Sequence, residues 1–434
     1  MLKLSVFQTT LLAVFGALAV SGVLIFALLV SSNVGSSIGP VTIWGTFEES
    51  AFRVVLRQLA ENDNRLSQVT YIERDKENYE TEITEALAGG TGPDLFILRD
   101  DYALRDSAKV LPIPYEQFSE TQFRNTFIEA AEPFLGEGVL AIPLLADPLV
   151  LYWNRDMLAG AGYAEPPRYW DELQGMAQAV TKKNDAGQIL KSTISFGEYR
   201  NVNHAKDIIT TLILQAGGSI TTENSAGRLI SALSRSGGSS AAESALRFFT
   251  EFADPSKAIY SWSRALPESR TAFSSGDVAL YIGYASEKDL ITRMNPNLNF
   301  AVAPMPQARG TQGVIDSARV YALATVRSSK NPQGAIITAS ILASAEASGA
   351  LSTVFGIPSA RRDVLGPGDP SGSFTTEADL FNKQALISKA WSDPDPQRTD
   401  EVFRAMIENV TTGALRLPEA VVRAHQELDN ILKI

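Results

Sequence analysis

The sequence predicts an α/β protein of two successive strand-and-helix regions behind an N-terminal membrane-spanning helix. Three observations predict it. Strands and helices alternate over residues 41–98, a second alternating stretch begins near residue 139, and residues 11–30 run apolar without a charge. The 434 residues, 45% hydrophobic and 20% charged, have globular composition and room for two or three domains. With no cysteine there is no disulfide, thiol nucleophile or Cys-zinc site, and His204 and His425 alone argue against a His-rich metal centre. A net charge of −11 argues against nucleic acid, whose phosphates call for a basic surface.

Between Lys3 and Glu48 no residue is charged, and residues 11–30 (LLAVFGALAVSGVLIFALLV) would span roughly 30 Å as a helix, the thickness of a bilayer's hydrocarbon core. That length favours an uncleaved single-span anchor over a signal peptide. Val30-Ser31-Ser32 would serve as the cleavage site in the second case. Lys3 and the amino terminus keep the short tail inside, so the rest of the chain is expected outside. Residues 31–40 (SSNVGSSIGP) read as a tether.

Residues 41–44 (VTIW) read as a buried strand entering a loop at Gly45-Thr46. Phe52, Val55, Leu56 and Leu59 then fall at helical spacing. Residues 69–72 form a second strand, and Tyr79, Ile83, Ala86 and Leu87 mark a helix stopped by Gly89-Gly90. Residues 94–98 make a third strand, which completes a doubly wound unit whose ligand-facing loops are 45–48 and 99–102. In the second region, residues 139–142 and 149–153 read as strands flanking a loop over 143–148. Trp170, Leu173, Met176, Ala177 and Val180 line a helix, residues 208–215 form another, and 231–240 (SALSRSGGSS) read as a loop. Ala245, Phe248, Phe249 and Phe252 form a further helical face. Strands follow at 278–282, 300–303 and 320–326, with Pro304-Met305-Pro306 a breaker where the chain could change lobe. Asn331-Pro332 starts a long helix as N-cap and first-turn proline. Helices at 379–391, 399–412 and 418–432 close the chain. There is no tandem repeat and no coiled-coil stalk.

No GxxxxGK[ST] loop, HExxH or GxSxG elbow is present, so no cofactor or metal is expected. A carboxylate pair serving a glycosidase stays open, because the deciding separation is spatial.

Six segments, in order, resemble the extracellular solute-binding proteins of bacterial ABC importers, the family (family 1) that includes the maltodextrin-binding protein. These are VTIWGTFEE, TEALAGGTGPDLFIL, IPLLADPLVLYWNRDMLAGAGYAEPPRYWDEL, RTAFSSGDVALYIGY, SSKNPQGAI and TTGALRLPEAVVRAHQEL. The resemblance implies a two-lobed periplasmic-binding-protein type II fold with crossing hinge strands, behind the transmembrane helix. It further implies a monomeric receptor that holds a small-molecule solute in the interlobe cleft and delivers it to ABC permease subunits. The expected division is anchor and linker at 1–38, first lobe at 39–146, second lobe at 147–304, a return to the first lobe at 305–349, and second-lobe helices at 350–434.

On the same plan the expected ligand-contacting residues are Trp44, Thr46, Glu48, Asp101, Tyr102, Asp147, Trp262, Tyr284, Arg319 and Trp391. Trp44 would stack on a sugar face or pack in the core. Glu48 would contact ligand or complement a helix dipole. Asp101 and Tyr102 follow the third strand, where the family places polar contacts, or belong to a solvated loop. Asp147, between apolar strands, needs partners that a polyol provides. Trp262 lies in the polar stretch YSWSR and reads as a cleft aromatic. Tyr284 ends a strand on the cleft side, Arg319 opens another, and Trp391 precedes DPDP. Asp94 and Trp170 read as structural, Trp153 as covered by its lobe, and His204 as a helix-start residue. The expected solute is a mono- or oligosaccharide, with a polyamine or other cation as the rival ligand. A secreted glycan-active hydrolase and a tethered sensor without transport are the rival classes.

Overall fold

The computed structural model describes residues 38–234, 240–310, 313–366 and 374–433. The expected anchor at 11–30 and most of its tether lie outside the described residues. Among those described, no single helix is long and apolar enough to cross a membrane.

The described residues form twelve strands: β1 Val41–Gly45, β2 Val69–Glu73, β3 Leu95–Arg99, β4 Ala141–Asn154, β5 Lys182–Lys183, β6 Ile189–Ile194, β7 Thr221–Glu223, β8 Leu229–Ser231, β9 Val278–Tyr284, β10 Phe300–Ala303, β11 Asp316–Thr325 and β12 Ser388–Lys389. β2, β1 and β3 run parallel, with the helices Glu49–Asn62 and Tyr79–Ala88 as crossovers, which is the expected doubly wound unit. The predicted apolar positions Phe52, Val55, Leu56 and Leu59 are all buried. β11 joins antiparallel to β3 and then to β4, and β4 pairs further along with β9 and β10. β6 and β5 extend the second half. Two hydrophobic cores result. One gathers residues from Ile38 to Ala146, from Ala318 to Leu365, and Ala385. The other gathers residues from Leu149 to Met305 and from Leu380 to Ile431. β4 and β11 are the connections that cross between them.

Four expectations change. The loop expected over 143–148 is the middle of one continuous strand. Its prolines are tolerated because neither removes a needed donor. The register slips by one residue beside Pro143, and the Ala146 N–H faces the Pro358 carbonyl (2.8 Å), so position 148 points to the same edge, where β9 has not yet begun. The long helix after Asn331 is two, Pro332–Leu342 and Ala345–Phe355, bent by 69° where the Ser344 side chain caps the second. The helix expected at 379–391 ends at Leu386, and β12 follows it. The return to the first lobe runs from about 318 to 365 instead of 305–349. Gln215 donates to the Pro306 and Ile315 carbonyls and holds that hinge stretch on the second lobe. The backbone N–H of Ala360 meets the Leu144 carbonyl (3.0 Å) and keeps the later stretch on the first.

Candidate functional site

Asp147 marks the point where β4 leaves β11 and enters the second lobe. It is 2% exposed, lies across the ladder from Arg319, and its Oδ1 accepts the Ser286 N–H at 3.0 Å. Burial pushes its carboxyl up to about 6, against the pull of Ser286 and Arg319. A buried acid with so little compensation sits where incoming hydroxyl or amine donors would be favoured.

Two interlobe cavities flank Asp147. The first, about 50 Å3, is walled by charge: Asp100 and Asp101 from the turn after β3, Lys206 and Asp207 from the first turn of the helix Ala205–Gln215, and Tyr284, Arg319, Trp391 and Asp393. Ion pairs fill it. Arg319 Nη2 lies 3.0 Å from Asp207 Oδ2 and its guanidinium lies 4.2 Å over the Tyr284 ring. Asp101 pairs with Arg99, and Lys206 Nζ reaches Asp393 and the Thr399 hydroxyl (2.7 Å). Burial holds Asp100 well above the usual carboxylate range and Asp393 up to about 6.

The second cavity, about 650 Å3, lies on the Ser286 side. Phe355, Ile357 and Pro358 come from the first lobe, and Ser286, Lys288, Glu377, Phe381 and Asn382 from the second. Phe355 packs 4.7 Å from Phe47, which packs 5.1 Å from Tyr321, so an apolar face runs from the loop after β1 into this space. Its volume suits a small solute, whereas the charged cavity has room for little more than water. A larger cavity, about 1120 Å3, touches second-lobe and hinge residues such as Trp153, Pro166 and Met305. It is not between the lobes.

The structure brings Asp101, Tyr284, Arg319 and Trp391 together around the charged cavity, and Asp147 lies buried behind, bonded to Ser286 of the second cavity and across the ladder from Arg319. Thr46 stands half-buried beside Phe47, and Glu48 is exposed, accepts the Ser50 hydroxyl and precedes the helix Glu49–Asn62, which is the helix-dipole reading. Trp44 is buried at 8% exposure, with the Arg74 guanidinium 3.6 Å over its ring, so that face is taken. Tyr102 is equally buried and stacked by Arg99 and Arg105, which corrects its reading as a cleft contact. Trp262 is the clearest correction. It is fully buried in the second core, and its Nε1–H donates to Asn201 Oδ1 at 3.1 Å. Its polar neighbours misled: Ser261 is itself buried and hydrogen-bonded to the Ile194 carbonyl. Asp94 is structural as read, accepting from the Thr42 N–H and the Ser329 hydroxyl. Lys206, Asp207, Ser286, Phe355 and Asp393 were missed, since no local pattern separates them from ordinary helix-start and loop residues.

A profile described as bacterial extracellular solute-binding protein matches residues 60–347, about two-thirds of the chain. The chain belongs to that family. Family members are binding proteins and not enzymes, which removes the hydrolase reading. A binding protein of Brucella abortus and one of Brucella suis are each 28% identical over 263 residues, 58% of this chain and 59% of the relative's length. Among solved structures, the Arthrobacter globiformis cyclic α-maltosyl-1,6-maltose binding protein superimposes with TM-score 0.72 at 15% identity, over 91% of this chain and all of the other. The GacH receptor of Streptomyces glaucescens, solved unliganded and with acarbose, gives 0.68 at 18%, over 91% and 98%. A Thermotoga lettingae ABC transporter solute-binding protein bound to α-D-tagatose gives 0.66 at 20%, over 91% and 100%. These likenesses show the two-lobed α/β fold of solute-binding proteins for this chain.

Proposed function

We propose that this solute-binding protein is a membrane-anchored extracytoplasmic receptor that takes a mono- or oligosaccharide into the interlobe cleft and delivers it to an ABC permease. The observation that carries the reading is the 650 Å3 interlobe cavity, where an aromatic wall at Phe355 faces polar groups beside the buried Asp147. Sugars offer an apolar ring face for the one and hydroxyl donors for the other. The saccharides bound by the structural neighbours support the same class of solute. Arg319 on a crossing strand and Asp207 on the second lobe couple the hinge to the cleft wall.

Calorimetric titration with acarbose, maltotetraose, mannobiose and tagatose, with spermidine as the cationic rival, tests the solute. Saturable saccharide binding without turnover is expected, weakened about tenfold in Phe355→Ala. Binding of spermidine with none of the sugars would overturn the carbohydrate assignment. For the anchor, deletion of residues 11–30 is expected to move the protein out of the membrane fraction. Unchanged membrane retention would remove that segment as the attachment. Delivery is read as ATP hydrolysis by the reconstituted permease, expected to rise with the solute-loaded receptor and to stay flat if transport is not its role.

A further inference from the structure

Among the described residues, His204 is the sole non-glycine residue with positive φ (φ 59°, ψ 25°). That left-handed backbone favours glycine, so a bulky residue persists there only when its surroundings hold it. What holds it is the imidazole. Nε2–H donates to the Glu287 carboxylate, Nδ1 lies 3.9 Å from Asp207 Oδ2, and the ring packs edge-on against Tyr284 at 4.8 Å. Asp207 and Tyr284 line the charged cavity, and Glu287 stands next to Ser286 of the second one. Asp207 pairs with Arg319, and Tyr284 lies under the same guanidinium. Glu287 closes the turn carrying Ser286, accepting from the Tyr284 N–H at 3.1 Å, the Tyr281 hydroxyl at 2.6 Å and Arg270 at 3.3 Å. Ser286 in turn donates to Asp147.

We propose that His204 is a positioning residue for solute binding: its imidazole ties the start of the helix Ala205–Gln215 to the turn after β9, and so fixes Asp207, Tyr284 and Ser286 in the cleft wall. The inference rests on the interlobe cleft being the solute site, but its test needs no solute. The groups facing the ring are Asp207 on its own helix, Tyr284 and Glu287 at the end of β9, Arg270 and Tyr281 acting through Glu287, and Arg319 on β11 acting through Tyr284 and Asp207. The hydrogen bond to Glu287 and the ring's edge against Tyr284 join the helix start to the turn after β9 across 83 residues of sequence.

Hydrogen exchange of the full chain reads this directly, in segments 205–210 and 284–288. His204→Gly, which relieves the backbone, and His204→Asn, which tolerates it, are expected to lower protection of both segments about tenfold relative to the wild type, with first-lobe segments unchanged. Glu287→Gln, which leaves residue 204 in place and weakens the acceptor of its ring, is expected to lower protection of 205–210 in the same way. If His204→Gly keeps wild-type protection, the imidazole does not position the wall. Unchanged protection of 205–210 in Glu287→Gln overturns the proposal even if neither His204 variant folds. Absence of saccharide binding with this protection pattern intact would count against the proposed solute and leave the positioning role standing.

Discussion

Trp262→Ala is expected to lower stability by about 3–5 kcal/mol while leaving solute affinity within about twofold to threefold. The stability figure follows from deleting a fully buried aromatic, because the surrounding core collapses only in part. The indole is among the largest side chains that are wholly inside; its ring N–H donates to Asn201 Oδ1, and the backbone N–H of Trp262 donates to the Phe252 carbonyl at 3.1 Å. Asn201 also donates to the Ser263 and Leu266 carbonyls, so loss of the indole loosens a junction that orders the whole loop. Denaturant unfolding measures the cost, and calorimetry at a temperature where the variant is folded measures affinity. An affinity loss above tenfold at unchanged stability would return Trp262 to the cleft.

Asp147→Asn is expected to act in the opposite sense on the two quantities. Affinity for the saccharide should fall about 10- to 100-fold, because a charged acceptor for hydroxyl donors becomes a neutral amide, a difference of about 1.5–3 kcal/mol. Stability at neutral pH should rise, by up to roughly 3 kcal/mol. The sign follows from linkage. Burial raises the folded carboxyl from 3.8 to about 6, so the folded state binds the proton more tightly than the unfolded chain does. The penalty of the buried charge is absent below about pH 4, grows between 4 and 6, and is complete above 6. The variant lacks that penalty, so its advantage over wild type should be near zero at pH 4 and level off above pH 6. Equal pH profiles for the two proteins would show that Asp147 carries no buried charge. Unchanged saccharide affinity would remove it from the solute site. A residue that costs stability and earns binding is the pattern expected of a functional position.

Asp147 was also the candidate residue most legible in the sequence, since an acid inside a run of apolar strand residues has to be compensated by something. Tyr284 and Asp101 were legible as candidates for a topological reason: one ends a strand and the other follows one, at the carboxyl ends that face the crevice of an open α/β sheet. Trp262 and Trp44 were misread because a local window records which residues are polar but not which face of the chain is covered. Arg74 lies thirty residues from the indole it stacks on, and Asn201 about sixty from the indole it bonds. The prolines of β4 misled for a similar reason, since a proline breaks a strand only where a neighbour needs its donor, and the neighbour is remote in sequence.

By itself the sequence determined the class of the protein. Periodicity of 2 and 3.6 is a local property, and it placed β1, β2, β3 and their crossover helices; the ordered motifs placed the family; and the missing cysteine and nucleotide loop excluded whole chemistries. The tertiary structure alone decided which charges meet. Arg319 finds Asp207 across 112 residues because β11 crosses between the lobes, while Lys206 finds Asp393 and His204 finds Glu287, across 187 and 83 residues, within the second lobe. Burial at the crossing raises the Asp147 carboxyl. Both depend on three-dimensional neighbours, so no linear reading could supply them.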